Sequence, residues 1–196
     1  MAPDKAYEWL MEGAKGGFDV HVAASILALS LSEAITESRQ PSETAGIEGC
    51  PATLTAMFPR VVALFSAARP LVRREDELCL LDLLRRGTTH RSDFELLLAG
   101  MIARRAQRPN HLWQDLGLRN RGELSALMAL HFAPLARRNV GDMKWKKFFS
   151  RTICRDTDFA LCTAPSCAEC CDFENCFGEE SGESLLARIR RSAEAF

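Results

Sequence analysis

Four cysteines in the C-terminal part of the sequence have the spacing of a metal-binding loop. Cys162, Cys167, Cys170 and Cys176 follow the pattern C-x4-C-x2-C-x5-C, and no histidine interrupts them. Cysteine thiolates are soft ligands, which select zinc, copper(I) or iron–sulfur clusters over hard ions. The pattern therefore predicts a soft-metal site on one short loop.

The spacing also bears on which metal the loop binds. Structural zinc usually takes its ligands from two C-x2-4-C pairs separated by a longer segment, whereas only Cys167 and Cys170 form such a pair here. The outer two cysteines are spread along the chain, which suits a cluster in which each thiolate reaches a different metal. C-x4-C-x2-C also matches the first three ligands of plant-type ferredoxins. The spacing favours an iron–sulfur cluster and leaves zinc, or two disulfides, as alternatives.

Further cysteines and histidines are candidates to complete the site. Cys171 directly follows Cys170, and we interpret it as a spare because adjacent residues rarely bind one cubane together. Cys154 is a candidate additional ligand, and a packing residue at a helix end is the alternative. His111 and His131 are candidate metal ligands too, and a hydrogen-bonded core histidine is the alternative for each.

The run from Met143 to Cys154 (MKWKKFFSRTIC) predicts a basic amphipathic helix that leads into the cysteine cluster. We expect Trp145, Phe148 and Phe149 to face the core. The basic residues of this run are candidate contacts for an oxyanion or an acidic partner, with a solvated helix face as the alternative: Lys144, Lys146, Lys147 and Arg151.

Composition excludes several classes of function. The chain has 196 residues, with 25 basic and 26 acidic residues and a net charge of −1, so no overall field favours nucleic acid or a membrane surface. The N-terminal residues lack a signal-peptide pattern, and the longest apolar stretch, Val22 to Leu31, is shorter than the roughly 20 residues of a membrane span. We therefore expect a cytoplasmic protein with reduced thiols, in which the clustered cysteines are ligands rather than disulfides and Cys79 is buried in the core.

The hydrophobic periodicity predicts an all-α fold, organised as a single helical domain with a C-terminal cysteine-rich loop. Asp19 and Ser92 are predicted to cap helices, and the polar stretch 37–49 is predicted to be a loop. Predicted helices cover residues 18–35, 51–57, 74–84, 93–104, 122–132 and 143–154. This organisation predicts a helical domain at 1–154, a cluster-binding loop at 155–182 and a last helix at 183–196.

Taken together, these strings resemble the NifQ family, the molybdenum-donor proteins of nitrogenase iron–molybdenum cofactor assembly. The resemblance rests on the cysteine spacing closed by Phe177-Gly178, on MKWKKFFSRTIC, on ARRAQRPNHLWQDLGL from Ala103 and on LMALHFAPLARRN from Leu127. It is close from Ala103 to Gly178 and looser back to Phe18. Ser150 departs from it, since an aromatic residue is expected there, and this affects packing rather than the ligands.

The resemblance implies a function that spacing does not provide. Cys162, Cys167, Cys170 and Cys176 would hold an iron–sulfur cluster containing molybdenum, taken from molybdate, and the protein would pass molybdenum to the scaffold or reductase component of nitrogenase cofactor assembly. The residues themselves leave an iron–sulfur electron carrier and a zinc-stabilised interaction module open. No paired carboxylates, serine triad or phosphate-binding glycine loop indicates catalysis, so we expect a carrier and not an enzyme.

Overall fold

The computed structural model describes residues 1–49, 51–65 and 70–156, and these ranges contain α-helices and no β-strand. The predicted all-α fold class is confirmed for this part of the chain. The last described helix ends at Asp156, two residues beyond the predicted domain boundary at 154. The rest of the predicted cysteine-rich loop and the helix predicted at 183–196 lie outside the described residues. The ligand assignments of Cys162, Cys167, Cys170 and Cys176, and the exclusion of Cys171, stay predictions.

All six predicted helices are present, with ends displaced by two residues or fewer, and five further α-helices occur within the described ranges. In chain order the helices are α1 (Pro3–Met11), α2 (Phe18–Thr36), α3 (Pro41–Ala45), α4 (Ala52–Met57), a 3-10 turn (Pro59–Val61), α5 (Val62–Phe65), α6 (Glu75–Arg86), α7 (Asp93–Arg105), α8 (Leu112–Asp115), α9 (Arg121–His131), α10 (Ala133–Arg138) and α11 (Trp145–Asp156).

Helix α2 lies at the centre of the fold. Every residue from 22 to 31 is buried, so this helix is enclosed on all sides rather than on one face. The hydroxyls of its two buried serines, Ser25 and Ser30, each donate to the carbonyl four residues earlier at 2.8 Å, which satisfies them without a partner helix. By length and composition α2 could cross a membrane, whereas the sequence analysis finds its apolar stretch too short to do so. Most of α2 is buried in this fold, and a buried core helix has the same length and composition.

The start of α2 differs from the prediction. Its N-cap residue is Gly17, with φ 142°, and no side chain caps the helix there, so the predicted capping role of Asp19 is wrong. Asp19 Oδ1 lies 2.9 Å from Nε2 of His131 at the end of α9 instead. The competing interaction is between residues 112 apart in sequence, which local pattern cannot reveal.

The stretch 37–49, predicted as a loop, contains the short helix α3. Pro41 fits its first turn, and Gly46, with φ 73°, ends it in the left-handed region. Gly46 also packs closely on α7, because a Cβ there would lie 2.6 Å from the carbonyl oxygen of Gly100. At the start of α7 the predicted cap is confirmed: Ser92 Oγ accepts from the backbone of Glu95 at 3.2 Å, within a capping box.

A buried ionic network joins the end of α2 to the end of α7. The side chain of Arg105 is fully buried and pairs with both carboxylate oxygens of Glu33. Arg108 pairs with Glu33 at 2.8 Å and with Glu37 at 2.7 Å. Its hydrogen bond holds the pKa of Glu37 below the ordinary value of a glutamate. Paired in this way, the arginines can lie within the fold without an uncompensated charge.

The same network fixes the start of α11 through Asp115. This residue is 0% exposed; its Oδ1 accepts from Asn110 Nδ2 at 3.0 Å and its Oδ2 from Lys146 Nζ at 2.5 Å. Its backbone carbonyl accepts from Arg105 Nε at 2.7 Å, and Lys146 Nζ also donates to the carbonyl of Arg108. The first turn of α11 is therefore tied to α8 and to the residues that follow α7.

We predict that Lys146→Met destabilises the apoprotein by about 2–3 kcal/mol, because it leaves the buried carboxylate of Asp115 without its cation. The Asp115→Asn/Lys146→Met double variant should cost less than the sum of the two single variants, with a coupling of at least about 1 kcal/mol. Urea unfolding followed by far-UV circular dichroism measures these values.

Lys147→Met is the matched control, because none of the described carboxylates lies within ion-pair distance of Lys147; its free energy of unfolding should stay within about 0.5 kcal/mol of wild type. Strict additivity of the two single variants would show that Asp115 and Lys146 do not act as a pair.

Candidate metal centre

Helix α11 connects the described fold to the cysteine-rich segment, and its buried face is aromatic. Trp145, Phe148, Phe149 and Thr152 are buried. The ring of Trp145 lies 5.5 Å from that of Phe148 and 5.7 Å from that of Phe149, centroid to centroid. The prediction that these aromatic residues face the core is confirmed. This packing, together with the Asp115–Lys146 pair, fixes α11, the last described helix, against the rest of the described fold.

The four basic residues proposed as oxyanion or partner contacts do not share one environment. Lys146 is 27% exposed and is engaged by Asp115 and by the carbonyl of Arg108, so it serves the fold. Lys144, Lys147 and Arg151 follow the i, i+3, i+7 spacing of one helix face. The carbonyl of Lys144 accepts from the amide of Phe148 at 2.9 Å, which places Lys144 in register with the helix.

We call Lys144, Lys147 and Arg151 the basic stripe of α11. Arg151 is exposed, and Lys144 and Lys147 are half-buried. Within the described part of the chain, the basic stripe has no carboxylate in ion-pair distance, and Arg151 Nη1 makes a long contact of 3.9 Å to the sulfur of Met143. None of the described carboxylates therefore neutralises the charge of the basic stripe, which borders the buried aromatic face of the helix.

Cys154 lies in the last turns of α11, on the side of the basic stripe. It follows Lys147 by seven residues and Arg151 by three, which places it away from the aromatic face. Its side chain is nevertheless 6% exposed. Cys154 thus stands at the point where the chain leaves for Cys162, and its predicted role as an additional ligand stays a prediction.

His111 belongs to the segment that packs at the start of α11, whereas the cysteines follow its end. It is the N-cap residue of α8, and its backbone amide donates to Gln114 Oε1 at 3.3 Å. Its neighbour Asn110 donates to Asp115 of α8, and Asp115 accepts from Lys146 at the start of α11. Lys146 and the end of α11 are separated by about 15 Å of helix. Among the described residues His111 therefore lies nearer the start of α11 than its end, and its role as an additional ligand stays a prediction.

His131 is a core histidine with both ring nitrogens directed at carboxylates. Nε2 lies 2.9 Å from Asp19 Oδ1, and Nδ1 lies 3.8 Å from Glu95 Oε1. The ring also packs edge-on against Phe94 at 5.2 Å. This matches the alternative interpretation, and no group of three or more potential ligands suited to a metal ion occurs among the described residues.

Two features of the described structure could not be foreseen. His21, which has no supporting context in the sequence, lies between Tyr7 and Glu123: Tyr7 Oη is 2.8 Å from Nδ1, and Glu123 Oε2 is 3.3 Å from Nε2. Burial raises the pKa of Tyr7 above its ordinary value. The second feature is the role of Asp115, whose partners in the fold carry no local sequence signal.

Cys79 is not the fully buried core residue that the sequence predicts. It is half-buried and lines a cleft of about 220 Å³ between α6, α10 and α11, with Leu135 and Ile153. Leu80, Leu81, Leu83 and Leu84 of α6 are buried whereas Leu78 is exposed, which leaves Cys79 at the edge of the packed face. A second cleft, of about 280 Å³, lies between α3, α4 and α7 and is lined by Gly46, Arg73 and Gly100.

Comparison with known proteins places these features within one family. The family model described as NifQ matches residues 23–178, which include α11 and all four predicted cysteine ligands. No solved structure matches the chain.

Individual relatives agree. The chain is 38% identical over 172 residues to a protein from Sinorhizobium fredii named "Protein NifQ homolog", which covers 85% of this chain and 75% of the relative. It is 49% identical over 84 residues to Protein NifQ of Rhodobacter capsulatus, covering 42% of this chain and 46% of that protein. It is 42% identical over 86 residues to Protein NifQ of Azotobacter vinelandii, covering 44% of each. Because the family model spans most of the sequence and the Sinorhizobium relative matches over three quarters of its own length, the chain belongs to the NifQ family.

Proposed function

We propose that this protein carries molybdenum in an iron–sulfur cluster and donates it for assembly of the nitrogenase iron–molybdenum cofactor. The cluster would be held by Cys162, Cys167, Cys170 and Cys176, and transfer would take place in the cytoplasm. The observation that carries the proposal is the family match over 23–178, which includes all four cysteines at cluster-type spacing. Delivery would be stoichiometric, so the protein would act as a carrier and not as an enzyme.

The donor set suits this cargo. Four thiolates at C-x4-C-x2-C-x5-C can each hold a different metal of a compact cluster, and thiolate is a ligand that iron–sulfur clusters prefer. Sulfide and thiolate would keep molybdenum bound to the protein, whereas molybdate is a free oxyanion that diffuses away. Cys154 is the nearest further thiol before the loop and would be an additional ligand.

The described fold supports a carrier whose metal is cargo rather than a structural element. The hydrophobic core draws on α1, α2, α7, α9 and α11 and is built from apolar side chains. A core of this extent can stabilise a domain without a metal. The helical part would then persist when the cargo leaves, as a donor requires.

We predict that anaerobically purified wild-type protein, expressed with molybdate, contains both iron and molybdenum, and that Cys170→Ala loses most of both metals because one corner of the cluster has no thiolate. Metal analysis by mass spectrometry measures the result. Cys171→Ala is the matched control, one residue away, and should keep wild-type metal content. Zinc without iron in the wild type, or equal loss in both variants, would contradict the proposed ligand set.

The same measurement extends to Cys154. Cys154→Ala should retain its iron and lose a larger share of its molybdenum, since molybdenum accepts more ligands than an iron corner does. Unchanged molybdenum in this variant would assign Cys154 to packing at the end of α11.

We also predict that removal of the metal leaves the helical domain folded. After chelation, the far-UV circular dichroism of the apoprotein should keep its helical signal, and urea should still unfold the protein in one cooperative transition. Loss of the helical signal on chelation would instead favour a zinc-stabilised interaction module, because such modules unfold without their metal.

A further inference from the structure

We infer that the basic stripe of α11, formed by Lys144, Lys147 and Arg151, is the surface on which an acidic acceptor protein docks. The inference rests on the proposed function, because a donor must bring its cargo close to the protein that receives it. It adds what the proposed function leaves open, which is the place on this chain where the acceptor binds and the charge that it must carry.

The first argument is that these three charges have no ionic partner among the described residues. Lys146, next to Lys147 in sequence, forms an ion pair with Asp115, whereas no described carboxylate lies within ion-pair distance of the basic stripe. The stripe borders the aromatic face, because Lys144 and Arg151 lie one turn before and one turn after Phe148; Arg151 is exposed, and Lys144 and Lys147 are half-buried. Cations that pair with none of the described carboxylates and share one helix face can attract an acidic partner.

The second argument is the charge of the surrounding chain. The protein as a whole has a net charge of −1, yet seven lysines and arginines and only one acidic residue lie between Arg137 and Arg155. That acid, Asp142, is paired with Arg121 at 2.8 Å. Even with Lys146 paired to Asp115, positive charge is concentrated in this part of the sequence, and a local patch on a nearly neutral protein steers an acidic surface into one orientation.

The third argument distinguishes a protein from a small oxyanion. The basic stripe runs along about 10 Å on the convex side of a helix. A small oxyanion is held best by donors that converge on it from several sides. Neither the cleft beside Cys79 nor the one beside Gly46 is lined by stripe residues. A linear row of cations on a convex surface fits an extended acidic surface better than a single small ion.

The fourth argument is position. Arg151 precedes Cys154 by three residues and Cys162 by eleven, so an acceptor docked on the basic stripe would stand at the start of the cysteine-rich segment. The rival occupant is this chain's own sequence, since the segment from Asp156 to Glu183 contains acidic residues and no lysine or arginine. The experiment must therefore separate binding of a partner from an internal contact.

The test compares two triple charge reversals of equal net charge. Lys144→Glu/Lys147→Glu/Arg151→Glu removes the basic stripe, and the control Lys5→Glu/Lys15→Glu/Arg74→Glu reverses three exposed cations outside it. The probe is the purified scaffold protein of nitrogenase cofactor assembly. Binding is measured by calorimetry at low and at physiological salt, and iron and molybdenum are measured in each variant.

We expect the wild type to bind the scaffold more weakly at higher salt, the stripe variant to bind roughly tenfold more weakly than wild type at low salt, and the control to stay within about twofold. Metal content should be unchanged in the stripe variant. Salt-dependent binding that needs the basic stripe would support the inference even if the wild type contained no molybdenum, a result that would overturn only the proposed function.

Three results would overturn the inference. Equal binding by the stripe variant and the wild type would show that the acceptor docks elsewhere. Loss of molybdenum from the stripe variant with unchanged scaffold binding would assign the basic stripe to oxyanion capture. A lower free energy of unfolding in the stripe variant with unchanged binding would assign it to this chain's own acidic segment.

Discussion

The fully buried carboxylate of Asp115 is the constraint on which the position of α11 depends. A carboxylate in the protein interior must be paired, and Asp115 is paired by Lys146 from α11 and by Asn110, while Arg105 holds its backbone. Arg105 in turn requires Glu33 at the end of α2. Because Asp115 depends on Lys146 for its ion pair, α11 cannot shift without leaving a buried carboxylate unpaired.

Some residues of helix α11 stabilise the fold, and others, in our inference, contact a partner protein. Trp145 and the two phenylalanines that follow it pack into the core, and Lys146 completes the buried network. The basic stripe borders this aromatic face and pairs with none of the described carboxylates. One short run, MKWKKFF, therefore attaches the cysteine-rich segment to the domain and, in our inference, presents it to an acceptor. A run with the sequence pattern of a basic amphipathic helix can thus stabilise the fold and, in our inference, also assist delivery of the metal.

Local patterns predicted the elements of this protein well and their long-range contacts poorly. The helices follow from apolar spacing, and the cap at Ser92 follows from a side chain and an amide three residues apart. The partners of Asp19 and Lys146 lie 112 and 31 residues away in sequence, so local patterns do not predict these contacts. Cys79 was assigned to the core because its neighbours are leucines, although a half-buried edge position fits the same pattern. The cysteine ligands depend on spacing and family membership, and neither depends on the fold described here.

The central claim is that molybdenum is held by sulfur within an iron-containing cluster. X-ray absorption at the molybdenum edge of anaerobically purified protein tests it most directly, because the signal reports the atoms that surround the metal. The account predicts sulfur neighbours and an iron neighbour around molybdenum, both absent from Cys170→Ala. A molybdenum atom surrounded by oxygen alone, as in bound molybdate, would contradict it.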